Sequence, residues 1–150
     1  MSNTVYCLEK YHFFYYDKED DENVESRYLL GYFNCQSSLE NALKVCKLNG
    51  IQDDELKIEQ FNLSLSKKQK YLYILTYSYS TRNEKGEYTD YEYIFEPKTN
   101  RKKCLELKEE LCKQSKYSHT KKKIYDSETA NGFYISRYEI NKLYSVVQQH

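Results

Sequence analysis

Residues 56–63 read Leu56-Lys57-Ile58-Glu59-Gln60-Phe61-Asn62-Leu63, and residues 133–140 read Phe133-Tyr134-Ile135-Ser136-Arg137-Tyr138-Glu139-Ile140. In each, two apolar residues of one parity are followed, three positions on, by two of the other parity. Working outward, Val5-Tyr6-Cys7-Leu8 returns as Leu72-Tyr73-Ile74-Leu75. Tyr32-Phe33 returns as Ile94-Phe95, each ahead of a helix-like stretch. Three matching blocks in one order point to an internal duplication, which constrains architecture before any single residue does.

Each copy reads as β-β-α-β. The β-branched and aromatic run over 4–16 favours a strand, the acidic stretch Asp17–Glu25 a solvated hairpin loop, and Tyr28–Phe33 a returning strand. Ser37 or Ser38 can cap a helix whose Leu39, Ala42, Leu43 and Cys46 recur at helical spacing, and Asn49-Gly50 stops it. In the second copy, strands over 70–81 and 88–95 flank a turn in which Gly86 can take a positive φ. Pro97 blocks the strand, and Thr99 or Asn100 can cap a helix running to about Gln114. A loop over 115–131 then precedes a strand over 132–141.

The expected fold is α+β: two β-β-α-β repeats, residues 1–66 and 67–150, packed as one unit. They would form a pseudo-twofold sheet of about six strands with two main helices. Edge-to-edge pairing and face-to-face stacking are both open. The first hairpin strand of each copy should lie between the other two. The parity break predicts a β-bulge or bend in the last strand of each.

At 150 residues, roughly two thirds of the unfolded surface can be buried, whereas each half alone is marginal. No apolar run approaches the roughly 20 residues that span a bilayer, and the first residues lack the pattern of a signal peptide. A cytoplasmic protein without membrane partners is expected. Its five cysteines include no Cys-x-x-Cys spacing, and with three histidines available neither a metal site nor a cofactor is expected. Net charge is zero, but residues 1–66 hold 12 acidic and 6 basic residues, and residues 67–150 hold 11 and 17. Complementary halves of this kind attract each other or orient a charged partner.

Tyrosine, 18 of 150 residues, is the most conspicuous candidate for recognition. Alternation turns part of the set away from the core, and an aromatic ring with a polar tip suits a binding surface. Tyr11, Tyr15, Tyr73, Tyr77, Tyr79 and Tyr91 are the candidate partner-binding residues, with cross-strand stabilisation of a half-exposed sheet as the structural alternative. Lys121, Lys122 and Lys123, with Arg101 and Lys102 and tyrosines interleaved, are candidates for phosphate contact. A neutral chain argues against nucleic acid as the main partner. There is no Gly-x-Ser-x-Gly, His-Glu-x-x-His or phosphate loop, so no catalytic residue is assigned and an enzyme is not expected.

Tyr6-x-Leu8, the charged hairpin, Leu30-Gly31-Tyr32-Phe33, Ser37-Ser38, Glu40, Ala42 and Ile58-x-x-Phe61 together resemble small uncharacterised domains of low-GC bacteria, here in tandem duplication. The likeness covers residues 4–63; the second copy departs at Tyr93 for Gly31 and at Cys104 for Ala42. It implies the fold and the compartment, and such domains carry no assigned activity. The expected function is a non-enzymatic protein-binding module, and by size and composition an immunity or inhibitor protein in bacterium–phage conflict. The alternative is a nucleic-acid-binding module using the basic segment and nearby tyrosines.

Overall fold

A computed structural model describes residues 2–15, 23–117 and 132–144, with the side chains at 2–3, 12–15, 23–27, 80–82 and 88–91 outside the description. The strands are β1 (Ser2–Tyr15), β2 (Asn23–Phe33), β3 (Leu56–Ser64), β4 (Tyr71–Arg82), β5 (Tyr88–Ile94) and β6 (Gly132–Glu139). The helices are α1 (Gln36–Leu48) and α2 (Arg101–Cys112). The class is α+β, and the order β-β-α-β occurs twice. The strands form two three-stranded sheets, β2-β1-β3 and β5-β4-β6, so the first strand of each copy is the middle one. Because β1 is antiparallel to both neighbours, β2 and β3 run parallel and need a crossover, which α1 supplies. Among the described residues no helix is long and apolar enough to cross a membrane.

Contacts divide the chain into two compact units, Met1–Lys70 with Tyr138–His150, and Tyr71–Arg137. In the first, α1 lays Leu39, Ala42 and Cys46 on Leu8, Leu30 and Phe33, with Ile51 closing the end. The opposite face of β1 is buried as well, through Val5 and Cys7. In the second, Cys104 and Leu111 of α2 meet Leu75 and Tyr77 of β4, while Leu72 and Ile74 are buried on the other face.

The helix ends follow local chemistry, with one correction. The α1 N-cap is Cys35, two residues ahead of Ser37 and three ahead of Ser38, the expected caps. Asn49 caps its C-terminus, and Gly50 follows at φ 81°. For α2 the Asn100 side chain accepts from the Lys103 N–H at 2.9 Å, as a capping amide should. Gly86 takes φ 82°, and Asn83 Oδ1 accepts from the Lys85 and Glu87 N–H groups to close the β4–β5 turn.

The parity break has a different origin from the bulge expected in β3. The β1–β3 register runs without a shift from Ser2↔Ser64 to Lys10↔Leu56. The irregularity lies on the other side of β1, where Leu8 faces Gly31 but Glu9 faces Leu29, leaving Leu30 as the extra residue of β2. In β3, Leu56 packs against the α1 core, whereas Phe61 pairs with Val5 on the opposite face, and Ile58, opposite Leu8, is 40% exposed. Apolar residues turn to opposite faces at the two ends of the strand, so the pattern switches without a bulge. In the second copy the switch falls where the chain passes from one unit to the other: Phe133 and Ile135 pack with the α2 core, while Tyr138 and Ile140 belong to the first unit.

After β6, residues 140–144 lie along the outer edge of β2. Ile140 makes a parallel bridge to Tyr32, and its N–H donates to the Lys70 carbonyl at 2.9 Å. The Asn141 and Tyr144 N–H groups donate to the Tyr32 and Leu30 carbonyls, each at 2.7 Å. The approach is close: a Cβ on Gly31 would lie 2.4 Å from the Lys142 carbonyl oxygen. A Gly31→Ala change should therefore push this segment off and destabilise the protein by about 1–3 kcal/mol, the usual cost of overpacking. Faster hydrogen exchange at the Asn141 and Tyr144 amides is the local sign; unchanged exchange and melting would contradict the placement.

Candidate functional site

The described tyrosines of the expected partner face do not share one exposed surface. Tyr11 is 8% exposed, and Tyr77, at 0%, is wholly inside. Neither offers area to a partner as it stands, which corrects the expectation for these two. Tyr73 and Tyr79 are half-buried, packed against the core of the second unit. The side chains of Tyr15 and Tyr91 lie outside the described residues. Arg101 and Lys102 are exposed at the start of α2, while Lys121, Lys122 and Lys123 lie outside the described residues, as do the hairpin loop over 16–22 and His119.

Alternation puts Tyr73, Leu75, Tyr77 and Tyr79 on the α2 side of β4. The helix offers only Cys104 and Leu111 as buried residues there, and the tyrosine rings fill the remaining volume. Tyr77 meets Phe133 at 4.6 Å between ring centres, Tyr117 edge-on at 5.1 Å, and Tyr79 at 5.6 Å. Register places Tyr93 opposite Tyr77. Tyr93 lies near-parallel to Tyr79 at 6.3 Å and carries the Lys116 ammonium over its ring at 4.7 Å. The same ammonium stands 5.6 Å from the Tyr117 ring. Tyr79, Tyr93 and Lys116 are the outer rim of an aromatic cluster whose inner members are locked, and such rings lose little entropy on contact. The expected face named Tyr79 but omitted Tyr93 and Lys116, although their positions in the hairpin and the basic run were legible.

The first unit holds a second constellation, and it is polar. Glu9, 5% exposed, accepts from the Cys7 thiol on Oε1 at 3.5 Å and from the Tyr11 hydroxyl on Oε2 at 3.4 Å. A buried carboxylate needs such donors. Lys57 Nζ pairs with Glu59 Oε1 at 3.3 Å; the Tyr11 hydroxyl and the Glu59 carboxylate hold this ammonium above its ordinary pKa. Burial, reinforced by the Glu9 charge, pushes the Cys7 thiol far up. Burial, with Cys7 as neighbour, does the same to the Tyr32 hydroxyl. A thiol held neutral is no nucleophile, so the geometry gives Cys7 a structural part. Among the described residues no group of three or more His, Cys, Asp or Glu side chains is arranged to hold a metal ion.

Cys35 behaves in the opposite way. It is exposed at the α1 N-terminus; its thiol donates to Ser38 Oγ at 3.0 Å, and Ser37 Oγ lies at 3.5 Å. The Ser38 hydroxyl first, then Ser37, stabilises the thiolate and lowers the pKa from 9.0.

Comparison with known proteins adds no relative: no family model, curated protein or solved structure matches the chain.

Two measurements follow from the thiols. With the ordinary pKa at 9.0 for Cys7 and 10.0 for Tyr32, and both raised by folding, the native state keeps protons that the unfolded chain releases. Stability is thus insensitive to these groups below about pH 9 and falls above it, by up to ~1.4 kcal/mol per pH unit per group. Cys46 and Cys104, also raised by burial, add to the same limb. In urea titrations from pH 8 to 10.5, Cys7→Ser should lessen the alkaline slope; an identical slope removes the assignment. In alkylation at pH 7.5, Cys35 should react before Cys112, which is also exposed, and Ser38→Ala should slow Cys35 alone.

Proposed function

We propose that this chain is a protein-binding module that works by contact rather than by catalysis, and that the rim formed by Tyr79, Tyr93 and Lys116 is part of its recognition surface. One observation carries this reading. These rings emerge half-buried from a cluster fixed by the wholly buried Tyr77, with a cation seated on Tyr93. Aromatic anchors held rigid by an underlying core are the kind of residue that dominates binding energy at interfaces. The lysine adds a charge that favours an acidic rim on the partner.

The test is affinity capture with the full chain as bait, followed by titration against the captured protein. Lys116→Glu, an exposed change with little expected effect on melting, should weaken binding at least about tenfold, or ~1.4 kcal/mol. Tyr93→Ser should weaken it further, with melting measured alongside because that ring also supports the core. Capture that is unchanged in both variants sinks the reading. Binding that appears instead to single-stranded oligonucleotides and falls steeply with salt favours the nucleic-acid alternative, in which Arg101 and Lys102 join Lys116.

A further inference from the structure

We propose that the outer edge of β3 pairs with the same edge of a second copy of this chain, antiparallel and two-fold symmetric about Ile58. The sheet β2-β1-β3 and its copy then form one continuous sheet across a dimer. The inference is independent of the aromatic rim, since it uses other residues and another partner.

The order β2-β1-β3 gives this sheet two rims, and they differ. Along β2, residues 140–144 take up the carbonyls of Leu30 and Tyr32. Along β3, no strand or bridge among the described residues pairs with the outer side. Such an edge presents backbone donors and acceptors to any extended chain, and proteins that keep it single shorten it, bulge it or place proline in it. β3 uses none of these devices. It runs nine residues, Leu56–Ser64, holds no proline, and keeps register with β1 throughout.

Its side chains define the occupant. When two identical antiparallel strands are related by a two-fold axis, the residue on the axis faces its own copy, and its two neighbours face each other. With Ile58 on the axis, Lys57 of one copy stands opposite Glu59 of the other, and the pair repeats across the axis. Unlike charges directly opposed stabilise a strand pair, and like charges destabilise it. Moving the axis by one residue sets Lys57 or Glu59 against itself. Centring it on Gln60 sets Lys57 against Leu63 and Glu59 against Phe61, and both ion pairs are lost. A lysine on an edge is ordinarily a guard against pairing. Followed two residues later by a glutamate, it becomes half of a self-complementary pattern.

The geometry of one copy agrees. Lys57 Nζ lies 3.3 Å from Glu59 Oε1, with the side chains 52% and 34% exposed, so the two charges share a face and a second copy turns the pair into a ring of four. On the other face, α1 packs on Leu8, Leu30 and Phe33 and leaves Ile58 40% exposed, where a second Ile58 covers it. The helices do not collide. β1 and its copy stand three strand spacings apart, about 14 Å, beyond the roughly 8–10 Å between packed helices.

The test is sedimentation velocity of the full chain from about 1 μM to 1 mM, the range that suits a small interface. Wild type should pass from monomer to dimer as its concentration rises. Lys57→Glu and Glu59→Lys each oppose like charges across the axis and should weaken the dimer at least about tenfold. An equimolar mixture of these two variants should dimerise as well as wild type, because every opposed pair in the mixed dimer is unlike. A repair within one chain cannot produce that result. Ile58→Asp should also weaken the dimer, and it serves if either charge variant fails to fold. With Cys35 and Cys112 replaced by serine, Ile58→Cys should link two chains by a disulfide faster than Gln60→Cys does. A wild type that stays monomeric, a dimer that none of these changes weakens, a mixture no more dimeric than either variant alone, or faster linking through Gln60→Cys overturns the proposal.

Discussion

The middle strand of each sheet is buried on both faces, and the rest of the structure follows from that constraint. In β1, Val5 and Cys7 are buried on one face and Leu8 on the other; in β4, Leu72 and Ile74 are opposed by Leu75 and Tyr77. A strand in that position cannot alternate between apolar and polar residues, and it reads as a continuous apolar run. Polar groups that do occur there must find partners. Glu9 is met by the thiol of Cys7 and the hydroxyl of Tyr11, and no described buried side-chain nitrogen or oxygen is left unpaired. The raised pKa values of Cys7 and Tyr32 are the electrostatic consequence of the same burial.

Tyrosine occupies two situations here, and burial separates them. In the second unit the α2 face of the sheet needs bulk that Cys104 and Leu111 do not supply, and Tyr77 and Tyr117 provide it from inside. Their neighbours Tyr79 and Tyr93 are the same residue type in the same cluster, but they end at the surface with Lys116 over one ring. The side chain is suited to both situations because its body is apolar and its tip tolerates water. Rim and core therefore grade into each other, and the half-buried rings are held in place by those beneath.

Much of the architecture was legible in the residues. The repeated blocks gave two β-β-α-β copies, the short hairpins put β1 and β4 in the middle, and Asn49-Gly50, Gly86 and Asn100 stand at the ends and turns where their local chemistry placed them. These features depend on interactions within a few residues, so sequence suffices. The site was less legible. Tyr11 and Tyr77 have the alternation of surface residues, yet they are buried, because period-2 spacing fixes which residues share a face and not whether that face is covered. The expected serine cap gave way to Cys35 because helix starts compete over one or two positions at small energy differences.

By itself, the sequence determined the class, the β-β-α-β order of each half and the place of the first strand between the other two, since local hydrogen bonding and apolar periodicity encode them. Only the tertiary structure decided that the six described strands divide between two sheets, that the bulge lies at Leu30 in β2, and that residues 140–144 close on the first unit beside Gly31. Those outcomes rest on contacts between residues far apart in the chain, including Asn34 with Asn141. A pattern of spacing carries no term for such contacts, because their strength depends on how closely two backbones can approach once everything else is packed.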